Sequence, residues 1–145
     1  MLISQGKFLQ YQNIFYNKVV NTPYKIKLEI FTVEKPTNTA EFNIDTFVGD
    51  SKRASQIYEF NALYEKDIST WAREKYGLPD TVNGIVYLSP KQLVPVLGYF
   101  RLPMHRVKVH FEGSIQVINK IIYMESLYDS CVGIQIFVQD DLKGG

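Results

Sequence analysis

The sequence predicts a mainly-β (α+β) domain, a small β-barrel or sandwich decorated with one or two short helices. Three observations lead there. The runs at 24–33 and 104–124 alternate apolar and polar residues with a period of two, the mark of strands with one wet face. Two short stretches, 67–77 and 88–98, carry helix caps at both ends. Ten Tyr and nine Phe supply large rings that suit pleated surfaces and interfaces.

Element by element, "KFLQYQNIFYNKVVNTP" (7–23) is apolar and aromatic without a clean period. It reads as a strand, or as an arm that packs on a neighbouring subunit, so residues 1–23 are a candidate assembly arm within a single domain, 1–145. In "YKIKLEIFTV" (24–33), Ile26, Leu28 and Ile30 oppose Lys25, Lys27 and Glu29, which predicts a strand. "EKPTNTAEFN" (34–43) reads as a loop around Pro36, and 41–55 starts strand-like and ends polar. "SQIYEFNALY" (55–64) is a short apolar-rich element whose type the residues leave open.

"DISTWAREKYG" (67–77) predicts a helix with Ser69 as N-cap and Gly77 closing it, Pro79 lying just beyond. "NGIVYLS" (83–89) reads as a strand. In "LSPKQLVPVLG" (88–98), Ser89 caps, Pro90 takes the first helical position, Gly98 closes, and Pro95 limits the helix to a turn or two. The last third, 104–140, predicts three strands joined by "EGS" and "SLYDS".

A chain of 145 residues buries roughly 70% of its unfolded surface, enough for a core without disulfides. Sixteen Lys and Arg against fifteen Asp and Glu leave a net charge of +1, which argues for neither a polyanionic nor a basic partner. The single Cys131 sits in an apolar run with no cation or His beside it, and reads as a small hydrophobe. One unpaired Cys fits a reducing compartment. No run of about 18 apolar residues predicts a transmembrane helix, and the opening "MLISQGKFLQYQ" lacks the basic-then-apolar order of a secretory signal.

Signals for catalysis are sparse. His105 and His110 are five apart in a predicted strand, an odd spacing that sends them to opposite faces and away from a shared metal. Asp140 and Asp141 are adjacent and diverge in an extended chain, whereas hydrolytic carboxylates must face one another. Nothing in the spacing of Asp45, Asp50, Asp67 and Asp80 makes them converge, and neither a G-x-S-x-G elbow nor a phosphate-cradling glycine loop occurs. No enzyme, no cofactor and no metal is expected. The basic stretch "RLPMHRVKVHF" (101–111) holds Arg101, Arg106 and Lys108. Period two puts Arg106, Lys108 and His110 on one face, either a track for phosphates or the solvated side of a sheet. No aromatic residue interleaves that row for base stacking.

From residue 60 on, the order of elements resembles the neck proteins of tailed bacteriophages: head-completion, head-closure and head-to-tail joining proteins. The likeness rests on a short helix in 60–93, then a strand pair marked by Val107, Val109, Phe111, Gly113 and Val117, then a final strand closing a small barrel. It covers the C-terminal two thirds; residues 1–55 match nothing in the pattern. The resemblance implies a non-enzymatic virion protein, assembled in the host cytoplasm. It would form a homo-oligomeric ring between the portal or adaptor protein and the tail protein and help retain packaged double-stranded DNA. No membrane is involved.

A ring needs heterologous contacts, and aromatic anchors serve them. Phe8, Tyr11, Phe15 and Tyr16 in 7–23, and Tyr99 and Phe100 in 94–103, are the subunit-contact candidates. Arg101, Arg106 and Lys108 are the candidates for a DNA channel or a neighbouring ring. The other classes open to these residues are a monomeric β-barrel binding module for a peptide or nucleic acid, and a small enzyme with a site built from scattered residues.

Overall fold

Alternating side chains become a seven-stranded antiparallel sheet in the computed structural model, which describes residues 4–32 and 54–141. The strands are β1 (Lys25–Thr32), β2 (Ala54–Asn61), β3 (Leu63–Glu65), β4 (Val82–Leu88), β5 (Val107–Phe111), β6 (Ser114–Met124) and β7 (Gly133–Asp140). Their order across the sheet is β2-β1-β5-β6-β7-β4-β3. The two outermost strands are neighbours in the chain, parted only by Ala62. One bent strand therefore pairs with β1 through its first half and with β4 through its second, and the sheet returns on itself as a small barrel. The 34–43 loop and most of 41–55 lie outside the described residues.

The period-two residues fill the interior. Ile26 and Leu28 of β1, Val107, Val109 and Phe111 of β5, Ile134, Ile136 and Val138 of β7, and Val86 and Leu88 of β4 form one buried cluster. Bulges at Asn83 in β4 and Asn119 in β6 flank β7 at nearly the same level, where extra twist helps a flat sheet turn. A second cluster of Leu78, Val82, Ile85 and Phe137 lies on the sheet's other face. It is covered by the segment carrying α2 (Thr70–Tyr76), whose Tyr76 ring meets Phe137 at 5.4 Å. The caps of α2 are those expected: Ser69 Oγ accepts from Ala72 N at 3.1 Å, and Gly77 is left-handed at φ 63°.

The segment 7–23 is not a strand. It forms α1 (Gln5–Val20), capped by Ser4, whose Oγ accepts from Lys7 N at 3.2 Å. Phe8, Gln12 and Val19 fall on one helical stripe and are buried. Gln12 Nε2 donates to the Cys131 carbonyl at 2.9 Å and to Ser130 Oγ at 3.0 Å. Thr22 Oγ1 lies 2.9 Å from the carbonyls of both Val19 and Ala62 and shares its one proton between them, and Asn61 Nδ2 donates back to the Val20 and Thr22 carbonyls. The helix is thus bound to its own barrel. Phe8, a subunit-contact candidate, is 2% exposed and packs in the core of this chain.

Helix α3 (Pro90–Leu97) follows β4 as its caps foretell. Gln92 Oε1 accepts from Ser89 N at 2.8 Å, Ser89 Oγ from Lys91 N at 3.2 Å, and Gly98 closes at φ 81°. Leu93 enters the main core, and Gln92 Nε2 donates to the Asn61 carbonyl at 2.8 Å. Among the described residues three helices, α1 with 16 residues being the longest, decorate the barrel. The rings of Tyr64 and Phe111 stack at 4.0 Å and 7°, and Tyr64 Oη donates to Gln116 Oε1 at 3.0 Å inside the wall. The β5–β6 turn has Glu112 at φ 50° and Gly113 at φ 83°, the two-residue geometry that matches strand twist. Among the described residues no helix is long and apolar enough to cross a membrane.

Candidate functional site

Two surfaces stand out, a helical face and a notch in the barrel wall. Helices α1 and α3 are neighbours: the Lys91 ammonium touches Asn13 Oδ1 and lies 5.4 Å from the Tyr16 ring centre. Because Phe8, Gln12 and Val19 turn inward, helical spacing sends Leu9, Tyr11 and Ile14 outward. In α3, Leu93 turns inward and leaves Val94 and Val96 outside, with Tyr99 just beyond. These six side chains are each between 43% and 52% exposed. Helical spacing puts Leu9 and Tyr11 on opposite flanks of α1, and Val94 and Val96 on opposite flanks of α3, so the six are spread around two adjoining helices.

Of the aromatic contact candidates, Tyr11 and Tyr99 are exposed. Phe15 is half-buried and packs so closely on Gly133 that a Cβ there would sit 2.6 Å from its ring. Tyr16 is half-buried beside Lys91. Phe100 meets Tyr123 edge-on at 5.6 Å, and the Arg101 guanidinium lies over both rings at 5.0 and 4.9 Å. Leu9, Ile14, Val94 and Val96 escaped the sequence reading. The signal for the first two was the stripe 8, 12, 15, 19, which fixes the outer face once the segment is taken as helix.

The notch arises from unequal strand lengths. β5 begins at Val107, opposite Ile30, while β1 runs on to Thr32 and β6 to Met124. The 3₁₀ turn Met104–Arg106 spans the gap. There a depression of about 330 Å³ is lined by Phe31, Met104, His105, Arg106, Val107, Lys108, Val117 and Ile118. His105 therefore lies in a turn rather than in the expected strand: Arg106 N donates to the Pro103 carbonyl at 2.7 Å, which delays strand pairing to Val107.

The basic row is less basic than its sequence. Arg106 is exposed, but Lys108 Nζ is 2.9 Å from Asp141 Oδ2. His110 Nε2 lies 2.9 Å from Glu29 Oε1, and Ser55 Oγ donates to Glu29 Oε2 at 2.8 Å. Arg101 sits apart on its two rings. Burial pushes the Glu29 carboxyl up. The hydrogen bonds from His110 and Ser55, with the charges of His110 and Lys108, outweigh this and hold it below 4.5.

A depressed carboxyl adds stability that is present above its unfolded value and lost as pH falls through the folded one. Glu29→Gln should therefore lower stability near neutral pH and flatten its fall below about pH 4.5. Urea midpoints taken across that range check it; an unchanged acid slope contradicts it.

Among the described residues the candidate groups named from the sequence lie apart. Cys131 is fully buried, and burial pushes its thiol up to about 12 against a weaker opposing pull from Arg101, so it is held as a neutral thiol. Among the described residues no group of three or more His, Cys, Asp or Glu could hold a metal. Asp67 and Asp80 are exposed, Asp140 ends β7 in solvent, and Asp45 and Asp50 lie outside the described residues. Neither a protein-family model nor a curated protein matches this chain.

Proposed function

We propose that this chain is a structural neck protein of a tailed bacteriophage. It forms a ring that connects the portal or adaptor to the tail and helps retain packaged DNA, without catalysis. The half-exposed apolar side chains spread over α1 and α3, on a barrel whose interior is filled by its own side chains, carry the reading. The order helix, strand, helix, hairpin and final strand from α2 to β7 supports it, being the order on which the neck resemblance rests. A ring contact joins one face of each subunit to a different face of the next, and a typical stable interface takes about 800 Å² per partner. Leu9, Tyr11, Ile14, Val94, Val96 and Tyr99, on several flanks of the two helices, offer apolar anchors for such contacts.

The combined change Val96→Asp and Tyr99→Asp tests this. Higher-order species should vanish while the unfolding midpoint stays within the range of a surface change, about 0.5 kcal/mol. Assembly that survives both substitutions contradicts the reading.

The notch favours a second reading, a monomeric barrel that binds a peptide or nucleic acid through Arg106 beside apolar walls. Salt-sensitive binding of double-stranded DNA, lost on Arg106→Ala and Lys108→Ala, would select it.

A further inference from the structure

The notch is small, and its charge is one-sided. Its volume of about 330 Å³ lies at the lower end of the range for small-molecule sites, roughly 300–1,000 Å³. At about 30 Å³ per water-sized group it holds roughly eleven non-hydrogen atoms. Val107 and Ile118, 3% and 9% exposed, belong to the core beneath it, and Phe31, Met104 and Val117 are half-buried around it. The other three lining residues are His105, Arg106 and Lys108, and none of the eight is acidic. Lys108 Nζ is already engaged: it lies 2.9 Å from Asp141 Oδ2 and 5.7 Å from the Phe31 ring centre. Arg106 is exposed, and its guanidinium has no hydrogen bond or ion pair among the described residues. Its backbone is fixed by the 3₁₀ turn, so a free guanidinium is held beside an apolar hollow.

We propose that the notch binds a small aromatic monocarboxylate, with its carboxylate on the Arg106 guanidinium and its ring against Phe31, Met104 and Val117. The planar guanidinium fork matches a carboxylate with two parallel N–H···O bonds. An aromatic body suits these walls, since a ring packs offset or edge-on against Phe31 and gains from the Met104 thioether. The charge count selects a monoanion. Asp141 neutralises Lys108, which leaves Arg106 as the one permanent cation of the site without a partner, whereas a phosphate track along a duplex needs several. The inference shares the notch with the second reading but does not rest on its ligand. No residue of α1 or α3 lines the site, so it is also independent of ring formation.

NMR titration of the full chain with 3-phenylpropionate, an acid of that size, tests it. Amide shifts at the lining residues should saturate with a Kd in the low millimolar range or below, as a ligand of roughly eleven atoms allows. Replacing the acid by 3-phenylpropanamide, equal in shape but uncharged, should weaken binding about 10- to 100-fold, and so should Arg106→Gln. Val117→Phe, which fills the hollow from a half-buried position, should abolish binding. Four results overturn the proposal: no shifts at about 10 mM acid, acid and amide that bind alike, an Arg106→Gln chain that binds like the parent, or binding that survives Val117→Phe. A chain that binds duplex DNA through Arg106 but not the acid overturns it as well, and leaves the second reading standing.

Discussion

Phe8→Ala should lower the unfolding free energy by about 3–5 kcal/mol, the range for emptying a buried phenylalanine site. Phe8 is 2% exposed, and its ring meets Tyr128 edge-on at 5.4 Å. Around it, α1 is tied to the barrel by Gln12, and the turn after it by Thr22 and Asn61, so the helix cannot lift away to relieve the cavity without breaking those bonds. Urea unfolding followed by far-UV circular dichroism measures the loss as a lower midpoint at unchanged slope. Tyr11→Ala, on the outer face, should stay within about 0.5 kcal/mol. Should Phe8→Ala be as mild as Tyr11→Ala, the N-terminal segment is an arm that needs a neighbour after all.

Gly84→Ala should cost about 2–5 kcal/mol, from overpacking and from a buried polar group left without its partner. A Cβ on Gly84 would lie 2.8 Å from Cζ of Tyr64, closer than real contacts allow. Tyr64 must then move, and it holds both the stack on Phe111 and the bond to Gln116, which is only 4% exposed. That trio joins the second half of the bent strand to β5 and β6 across the barrel. In a Tyr64→Leu background the same glycine change should cost much less, about 0.5 kcal/mol, since the clashing ring is gone. Equal costs in both backgrounds would mean that the ring is not what the glycine accommodates.

How legible these features were depends on how local their causes are. β1 and β5 could be read because residues two apart share a face. Helices α2 and α3 could be read because Ser69, Gly77, Ser89, Pro90 and Gly98 bond within a turn of themselves. Helix α1 was hidden by its own composition. Its buried stripe contains Gln12, and its outer face carries Leu9, Tyr11 and Ile14, so the contrast that reveals a helix is nearly erased. The bent strand carried no local sign that it changes partner at Ala62; that follows from β1 on one side and β4 on the other.

The basic row shows the same limit in its chemistry. Alternation correctly put Lys108 and His110 on the barrel's outer side, but His110 meets Glu29 across 81 positions of chain and Lys108 meets Asp141 from beyond the end of β7. Such pairings follow from register, and register is set by the whole sheet. That α1 and α3 are neighbours, by contrast, becomes visible only once the Lys91 ammonium is placed beside Asn13 and Tyr16.

Light scattering on the purified chain, alone at rising concentration and then mixed with a candidate portal ring from the same genome, bears most directly on the proposed role as a ring-forming building block. A discrete species containing many more than two chains, disrupted by Val96→Asp with Tyr99→Asp, is the expected result. A subunit that stays solitary even beside that ring, and that turns over a small molecule, would contradict it.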